Sequence, residues 1–465
     1  MTTTSTIAKP SAAATPAQRG RWITDWRPED PAFWEQTGKR VARRNLAWSI
    51  FAEHIGFSVW SLWSVLVLFL TPDYGLSADP KHAAAEKFLL TTLPTALGAG
   101  VRIPYTFAVA RFGGRNWTIA GATLLLVPTV AAAIVLRPGV SYGTLLVLAA
   151  LAGVGGGNFA SSMANINSFY PARHKGWALG LNAGGGNVGV AVVQLVGLAV
   201  LATAGKEHPR LLLAVYIPLI VLAALGAALW MDNLAGVRSE KRALRDASRE
   251  PHTWVLSVLY IGTFGSFIGF GFAFGQVLQN QFASHFLTSG AVDPTVDPVK
   301  IAYLTFLGPL VGSLIRPVGG RLADRIGGAT TTLWNFVAMA VAAAVVLLAS
   351  HAASLPLFYI GFIALFVLSG LGNGSTYKMI PAIFARLARE RGAADPDLEA
   401  RRLANAVIGI AGAVGAFGGV LVNVAFRQSF LSVQTGNAAY VGFIAYYVVC
   451  VALTWFTYLR RPARV

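Results

Sequence analysis

Two arginines, Arg102 in VRIPYTF and Arg316 in LIRPVGG, stand inside apolar stretches long enough to cross a bilayer. A guanidinium at mid-membrane costs roughly 2.5–3.5 kcal/mol on insertion scales and cannot escape by losing its proton. Each therefore needs a carboxylate, water or an anion. Asp73 and Asp324 fall at helix ends, leaving Glu53 as the one carboxylate clearly inside a span. One carboxylate cannot neutralise two arginines, so the missing negative charge is expected to be a ligand. The guanidinium is planar and donates through paired N–H groups, which suits a small planar oxyanion better than a spherical halide.

The arginines occupy matching places in a repeat. Arg102 precedes Arg111-Phe112-Gly113-Gly114 by nine residues, and Arg316 precedes Arg325-Ile326-Gly327-Gly328 by the same nine. A second echo pairs GVGGGNFASSM at Gly153 with GLGNGSTYKMI at Gly370. A third pairs the glycine-rich runs GWALGLNAGGGNVGVAVVQ at Gly176 and GIAGAVGAFGGVLVN at Gly409. Closely spaced glycines let helices approach and slide, and bare the backbone toward a ligand. Among the polar insertions Asn182, Asn187 and Gln194, Asn187 is the expected ligand contact.

The elements that must position these groups are all helical. Of 465 residues, 55% are hydrophobic and 12% charged, and apolar runs of about 18 to 25 residues recur along the chain. They predict an all-α membrane protein of twelve transmembrane helices, starting near Leu46, Phe88, Trp117, Tyr142, Gly176, Leu211, Thr253, Ile301, Thr331, Pro356, Leu403 and Tyr440. Two six-helix bundles follow, 46–232 and 253–465, joined by a charged linker at 233–252. The Thr/Ala/Pro-rich opening predicts a disordered tail over 1–45 with no signal peptide. Parallel repeats of this kind are the pattern of a two-bundle transporter with its site between the halves.

Lys and Arg gather on one side: Lys39 to Arg44, Arg111, Arg115, Arg173, Lys175, Arg238 to Arg249, Arg321, Arg325, Arg386 to Arg402 and Arg460 to Arg464. The positive-inside rule makes that side, with both termini, cytosolic. The same bias accounts for most of the formal charge of +17, leaving no need for a nucleic-acid partner. A lone cysteine, Cys450, builds neither a disulfide nor a thiolate metal site. The seven histidines do not cluster, and no Ser/His/Asp grouping is visible, so no metal, cofactor or enzyme chemistry is expected. In GGRLADRIGG, Asp324 and Arg325 stand at a helix end, where ion pairing is expected to latch the bundles in one state. The first-half copy reads Ala110-Arg111 and lacks the acid.

GGRLADRIGG resembles the cytoplasmic loop motif of the major facilitator superfamily. With TDWRPEDPAFWEQTGKRVARRNL, VRIPYTF, NFASSMANI, GSTYKMI and the two glycine-rich helices, the chain resembles the bacterial nitrate/nitrite porters of the NarK type. The resemblance implies that Arg102 and Arg316 bind substrate with Asn187 and Tyr260, and that Phe159 and Phe264 sandwich a planar anion. It also implies a monomer in the bacterial inner membrane that moves nitrate and nitrite, with membrane lipid as surroundings. Glu53, His54 and Lys378 depart from the family's better known exchangers, which carry apolar residues and Gln there. These three are candidates for proton coupling, with structural pairing of Glu53 to Lys378 or an arginine as the competing reading. Nitrate/nitrite exchange is the expected mechanism. Proton-coupled nitrate import through Glu53 or His54 is the alternative, and a channel or nutrient sensor the remaining one.

Overall fold

The computed structural model describes residues 21–236, 241–287 and 296–460. The expected disorder of the first twenty residues lies outside that set. Among the described residues, eleven helices are long and apolar enough to cross a membrane. We label the spans α1 (Pro31–Phe69), α3 (Gly114–Val135), α4 (Tyr142–Phe169), α5 (Ala172–Ala204), α6 (Pro209–Trp230), α7 (Pro251–Gln281), α8 (Pro298–Ile326), α9 (Gly328–His351), α10 (Leu355–Glu390), α11 (Pro396–Val433) and α12 (Asn437–Leu459). The twelfth, α2 (Pro80–Phe112), has 33 residues and a length of about 50 Å. Its polar content, Arg102 included, keeps it below the hydropathy of the others.

Most helices start earlier than their apolar runs because capping carries them past the hydrocarbon. Four begin with an Asp cap followed by Pro in the first turn, where the missing N–H costs nothing. Asp30, Asp79, Asp297 and Asp395 accept from the backbone N–H groups of Ala32, His82, Val299 and Leu398 at 2.9–3.0 Å. The largest difference is at the first helix, which begins at Pro31 rather than Leu46.

Residues 21–45 are likewise folded onto the bundle. A two-residue strand β1 (Trp22–Ile23) pairs in parallel with β2 (Asn233–Leu234), just after α6. Asp232 binds Arg44, and its main and side chains exchange hydrogen bonds with Asn45 at 2.8 and 3.0 Å. These partners lie nearly two hundred residues from the segment they hold. Within the described part of the linker, Lys241–Ser248 is helical and Pro251 already begins α7. Its Asp246 accepts from Arg402 at 2.7 Å, and Glu250 forms a two-pronged pair with Arg391 at 2.6 and 2.9 Å. Those hydrogen bonds from Arg391 hold the Glu250 carboxyl below the usual carboxylate range.

The most apolar stretches of α1 and α7 are 83% buried inside the protein, those of α3 and α12 only 33%. The first pair is therefore central and the second faces lipid. Across the halves, α2 packs on α11, while α8 packs on α5. Position two of each half thus meets position five of the other, as a twofold-related pair of bundles requires. The repeat is also exact at its turns: Gly113 has φ +88° and Gly327 φ +92°, a backbone geometry that L side chains rarely adopt. A third close constraint joins α7 to α11, where a Cβ on Gly265 would meet Gly418 Cα at 2.6 Å.

Replacing Gly113 by alanine should destabilise the protein by about 1–3 kcal/mol, because the added Cβ meets Asn233 Oδ1 in a backbone already at positive φ. Thermal unfolding in detergent should show a lower midpoint. Gly100→Ala, in open space on α2, is the control and should leave the midpoint within a degree or so of the parent.

Candidate functional site

Both arginines sit where a proline disturbs the helix. Pro104 follows Arg102 by two residues, and Pro317 follows Arg316 directly, where α8 breaks at Ile315. A proline removes one backbone N–H from the ladder and bends the helix near the arginine. On the facing helix, α7, residues Ile261–Gly265 form a single π-helical turn. Such turns push a side chain out of helical register. This one carries Phe264 and follows directly after Tyr260.

The outcome is a cation–aromatic cluster between the halves. Arg102 is 1% exposed, and its guanidinium carbon lies 4.8, 4.9 and 5.4 Å from the ring centres of Phe159, Phe264 and Trp60. The guanidinium carbon of Arg316 lies 5.5 Å from the same Phe264 and 5.2 Å from Phe267. One ring thus faces both cations, which come from opposite halves. With the 4.9 and 5.5 Å legs laid end to end, the charges are within about 10 Å of each other. At an effective dielectric constant of about 20, that separation gives a repulsion of at least about 1.5 kcal/mol.

The donors are only partly used. Arg102 donates from Nε to Gly156 O at 3.2 Å and from Nη1 to Gly412 O at 2.9 Å, so one arginine of the first half grips the α11 backbone of the second. Its Nη2, together with Nε and Nη2 of Arg316, is buried with no hydrogen-bond partner. No carboxylate forms an ion pair with either arginine among the described residues. Ring faces lessen the cost of each cation by about 0.5–2 kcal/mol but accept no hydrogen bond in the guanidinium plane. What the cluster can do is bind an acceptor-rich planar anion between two donor forks.

Tyr260, Phe159 and Phe264 fall in this cluster. Tyr260 stacks on Phe264 at 5.1 Å and 13°, and Phe159 faces Phe264 at 6.2 Å and 28°. A flat anion between two rings needs roughly 7 Å, two van der Waals spacings. Those rings must part by about 1 Å to admit one. Asn187 is buried on α5 and donates to Ala183 O of its own helix, while its Oδ1 has no partner. No hydrogen bond joins it to either arginine.

Sequence reasoning passed over Trp60, Phe267 and Tyr377. Tyr377 packs on Tyr260 at 5.0 Å with its hydroxyl buried and without a partner. It stands beside Lys378, which sequence reasoning singled out. One helical residue rotates the side chain by about 100°, and the two face different ways. Lys378 is half exposed and binds Asp324 at 2.9 and 3.0 Å, which removes it from the cluster. That pair also changes the reading of the latch. It ties α8 to α10, both in the second half, and spans no boundary between bundles; Asp324 is thus engaged within one half, with Arg325 beside it.

Glu53, 1% exposed, meets neither Lys378 nor an arginine. Its Oε2 accepts from Asn182 Nδ2 at 2.8 Å, and that nitrogen lies 2.6 Å from Ser162 Oγ, itself 2.8 Å from Ser49 Oγ. Oε1 has no partner. The neighbouring His54 places Nδ1 3.2 Å from Gly185 O, a carbonyl acceptor that fixes the proton on Nδ1.

A cavity of about 250 Å³ leads from Arg102, Phe159 and Gly412 past Met163 to Leu244 of the linker helix and Arg402. The protein is therefore open at its linker end. At the far end the halves meet through Thr91, which donates to Asn423 at 3.0 Å and accepts from Gln276 at 3.2 Å, and through Gln194, which donates to Gly271 O at 3.0 Å.

Comparison with known proteins fits this architecture. The sequence profile of the Major Facilitator Superfamily matches residues 47–423. The chain is 36% identical to the nitrate/nitrite transporter NarU of Salmonella typhimurium, over 95% of this chain and 97% of that one. It is 33% identical to the probable nitrate/nitrite antiporter NarK2 of Thermus thermophilus, over 96% and 98%. Its fold matches the xylose transporter XylE from E. coli with a TM-score of 0.67 at 10% identity, over 90% of this chain and 98% of that one. The chain belongs to the Major Facilitator Superfamily and, within it, to the nitrate/nitrite porter family.

Proposed function

We propose that the protein carries nitrate and nitrite across the bacterial cytoplasmic membrane by alternating access, with the linker end cytosolic, working as a monomer and by exchange of one anion for the other. The observation that carries this reading is the pair of buried guanidinium groups sharing the Phe264 ring, with unused N–H donors and no carboxylate in contact. A monoanion about 4 Å from each charge gains about 4 kcal/mol per contact at the same dielectric, more than the cations lose by repelling each other. Binding therefore favours the two halves closing on the anion. Without an anion, closure brings like charges together, so the carrier returns only when loaded. Nitrate and nitrite are both planar monoanions, which makes the two directions of exchange nearly equivalent at the site.

The test is counterflow in proteoliposomes. Nitrate uptake should require nitrite or nitrate inside and should ignore an imposed proton gradient. Arg102→Lys and Arg316→Lys keep the charge but lose the planar fork, and each should lower kcat/KM about 10- to 100-fold, the size of one or two charge-assisted hydrogen bonds. Ordinary exchange by both variants would remove the arginines from the site.

A second reading, proton-coupled nitrate import, is favoured by one observation: the buried Glu53 carboxyl has a free oxygen and no cationic partner in contact. Uptake into vesicles without internal anion, driven by an acid outside and abolished by Glu53→Gln, would establish import. On the exchange reading, Glu53→Gln should keep counterflow within about twofold of the parent, since an amide preserves the hydrogen bond with Asn182.

A further inference from the structure

The far end of the molecule holds a second pair of cations that the exchange reading does not use. Along α2, residues 87, 91, 95, 98 and 102 recur at helical spacing and lie within about 80° of one another. Lys87 is thus on the stripe that bears Arg102, fifteen residues and about 22 Å toward the far end. It is 9% exposed. Its one hydrogen bond is a long one, 3.5 Å to Gln279 Oε1 of the opposite half, and no carboxylate pairs with it among the described residues.

Thr91, one turn further in, is bonded to Asn423 of α11. Because α2 and α11 run in opposite directions, one turn past Asn423 returns to the level of Lys87, and the residue there is Arg427. This arginine is half-buried, with Nε buried and unpartnered. Beneath the two cations the halves are sealed by rings: Phe88 of the first half stacks on Phe426 at 5.9 Å and on Phe430 at 5.3 Å. A lysine buried at a seam between halves costs stability without a partner. Two such cations, one from each half, stand at the same level directly outside the seal.

We propose that Lys87 and Arg427 form an outer capture site for small monovalent anions, distinct from the arginine cluster and upstream of it when the far end opens. The inference rests on the reading of the protein as an anion carrier with that end facing outward. When the Phe88 stack and the Thr91–Asn423 bond part, both cations face the outer vestibule. A charged vestibule with low-dielectric walls raises the local anion concentration and speeds arrival at Arg102. When the far end shuts, as here, Gln279 covers Lys87, and the captured anion has no exit outward.

The experiment measures counterflow of nitrate from each side of oriented proteoliposomes at low ionic strength. Lys87→Gln and Arg427→Gln should each raise KM for external nitrate about three- to tenfold, leave KM for internal nitrate as in the parent, and lose their effect as a bulky inert salt is added. Lys87→Arg should restore the external KM. An external KM unchanged in both single variants and in the double variant overturns the proposal. So does an equal rise on both sides, or a change indifferent to salt, because either marks a packing role. Arg427→Gln covers the case in which the Lys87 variant fails to fold. Absence of nitrate exchange in the parent protein would sink the carrier reading, and this inference with it; normal parental exchange with symmetric KM changes would sink this inference alone.

Discussion

Uncompensated positive charge between the two halves is the constraint on which the rest of the structure depends. Arg102 and Arg316 come from equivalent helices, meet at one phenylalanine ring, and keep N–H groups that nothing among the described residues accepts. A soluble protein would bring a carboxylate to each. Here the fold brings rings, which lower the cost of burying a cation while leaving its hydrogen-bonding edge unsatisfied. Such a site is poor at being empty, and the proposed exchange rests on that weakness. A proline within two residues of each arginine and the π-helical turn that carries Phe264 are the local distortions at this cluster.

The machinery around the site shares a single logic. The halves are joined at the far end by amides, hydroxyls, carbonyls and stacked rings, and at the centre by the charge-assisted bond from Arg102 to Gly412. Among the described residues, ion pairs such as Asp324 with Lys378 lie inside the second half, and Arg391 with Glu250 ties the linker to α10. Close glycine crossings such as Gly265 on Gly418 let α7 and α11 lie backbone to backbone beside the site. In the proposed rocking of two bundles, a few bonds worth about 1–3 kcal/mol each are broken, within reach of the energy a bound anion would supply.

Much of this was legible in the sequence, and the exceptions have physical reasons. The arginines were visible because charge inside an apolar run is costly, and their pairing was visible because both precede an Arg-x-Gly-Gly turn by nine residues. The turn glycines carried the repeat since only positive φ fits there. Helix starts were less legible, because a hydropathy run marks the hydrocarbon while Asp–Pro caps mark the helix. The folding of residues 21–45 onto the bundle depends on Asp232 and β2, partners too distant for any local pattern to reveal. In a helix apolar on all sides, nothing in the sequence says which face looks inward. That is why Tyr377, inside the cluster, was passed over for Lys378, which points to Asp324. Trp60 and Phe267 were hidden for the same reason, aromatic residues being ordinary packing in membrane helices.

The central claim is that one planar monoanion, held by both arginines together, is the missing charge. Equilibrium titration of the purified protein with nitrate, set against chloride and sulfate, tests it most directly. The account predicts one nitrate bound per chain, weaker binding of spherical chloride, no binding of divalent sulfate at the same concentrations, and loss of the nitrate signal when both arginines are replaced by glutamine. Nitrate bound with undiminished affinity by that double variant would contradict it, for the negative charge would then be held elsewhere.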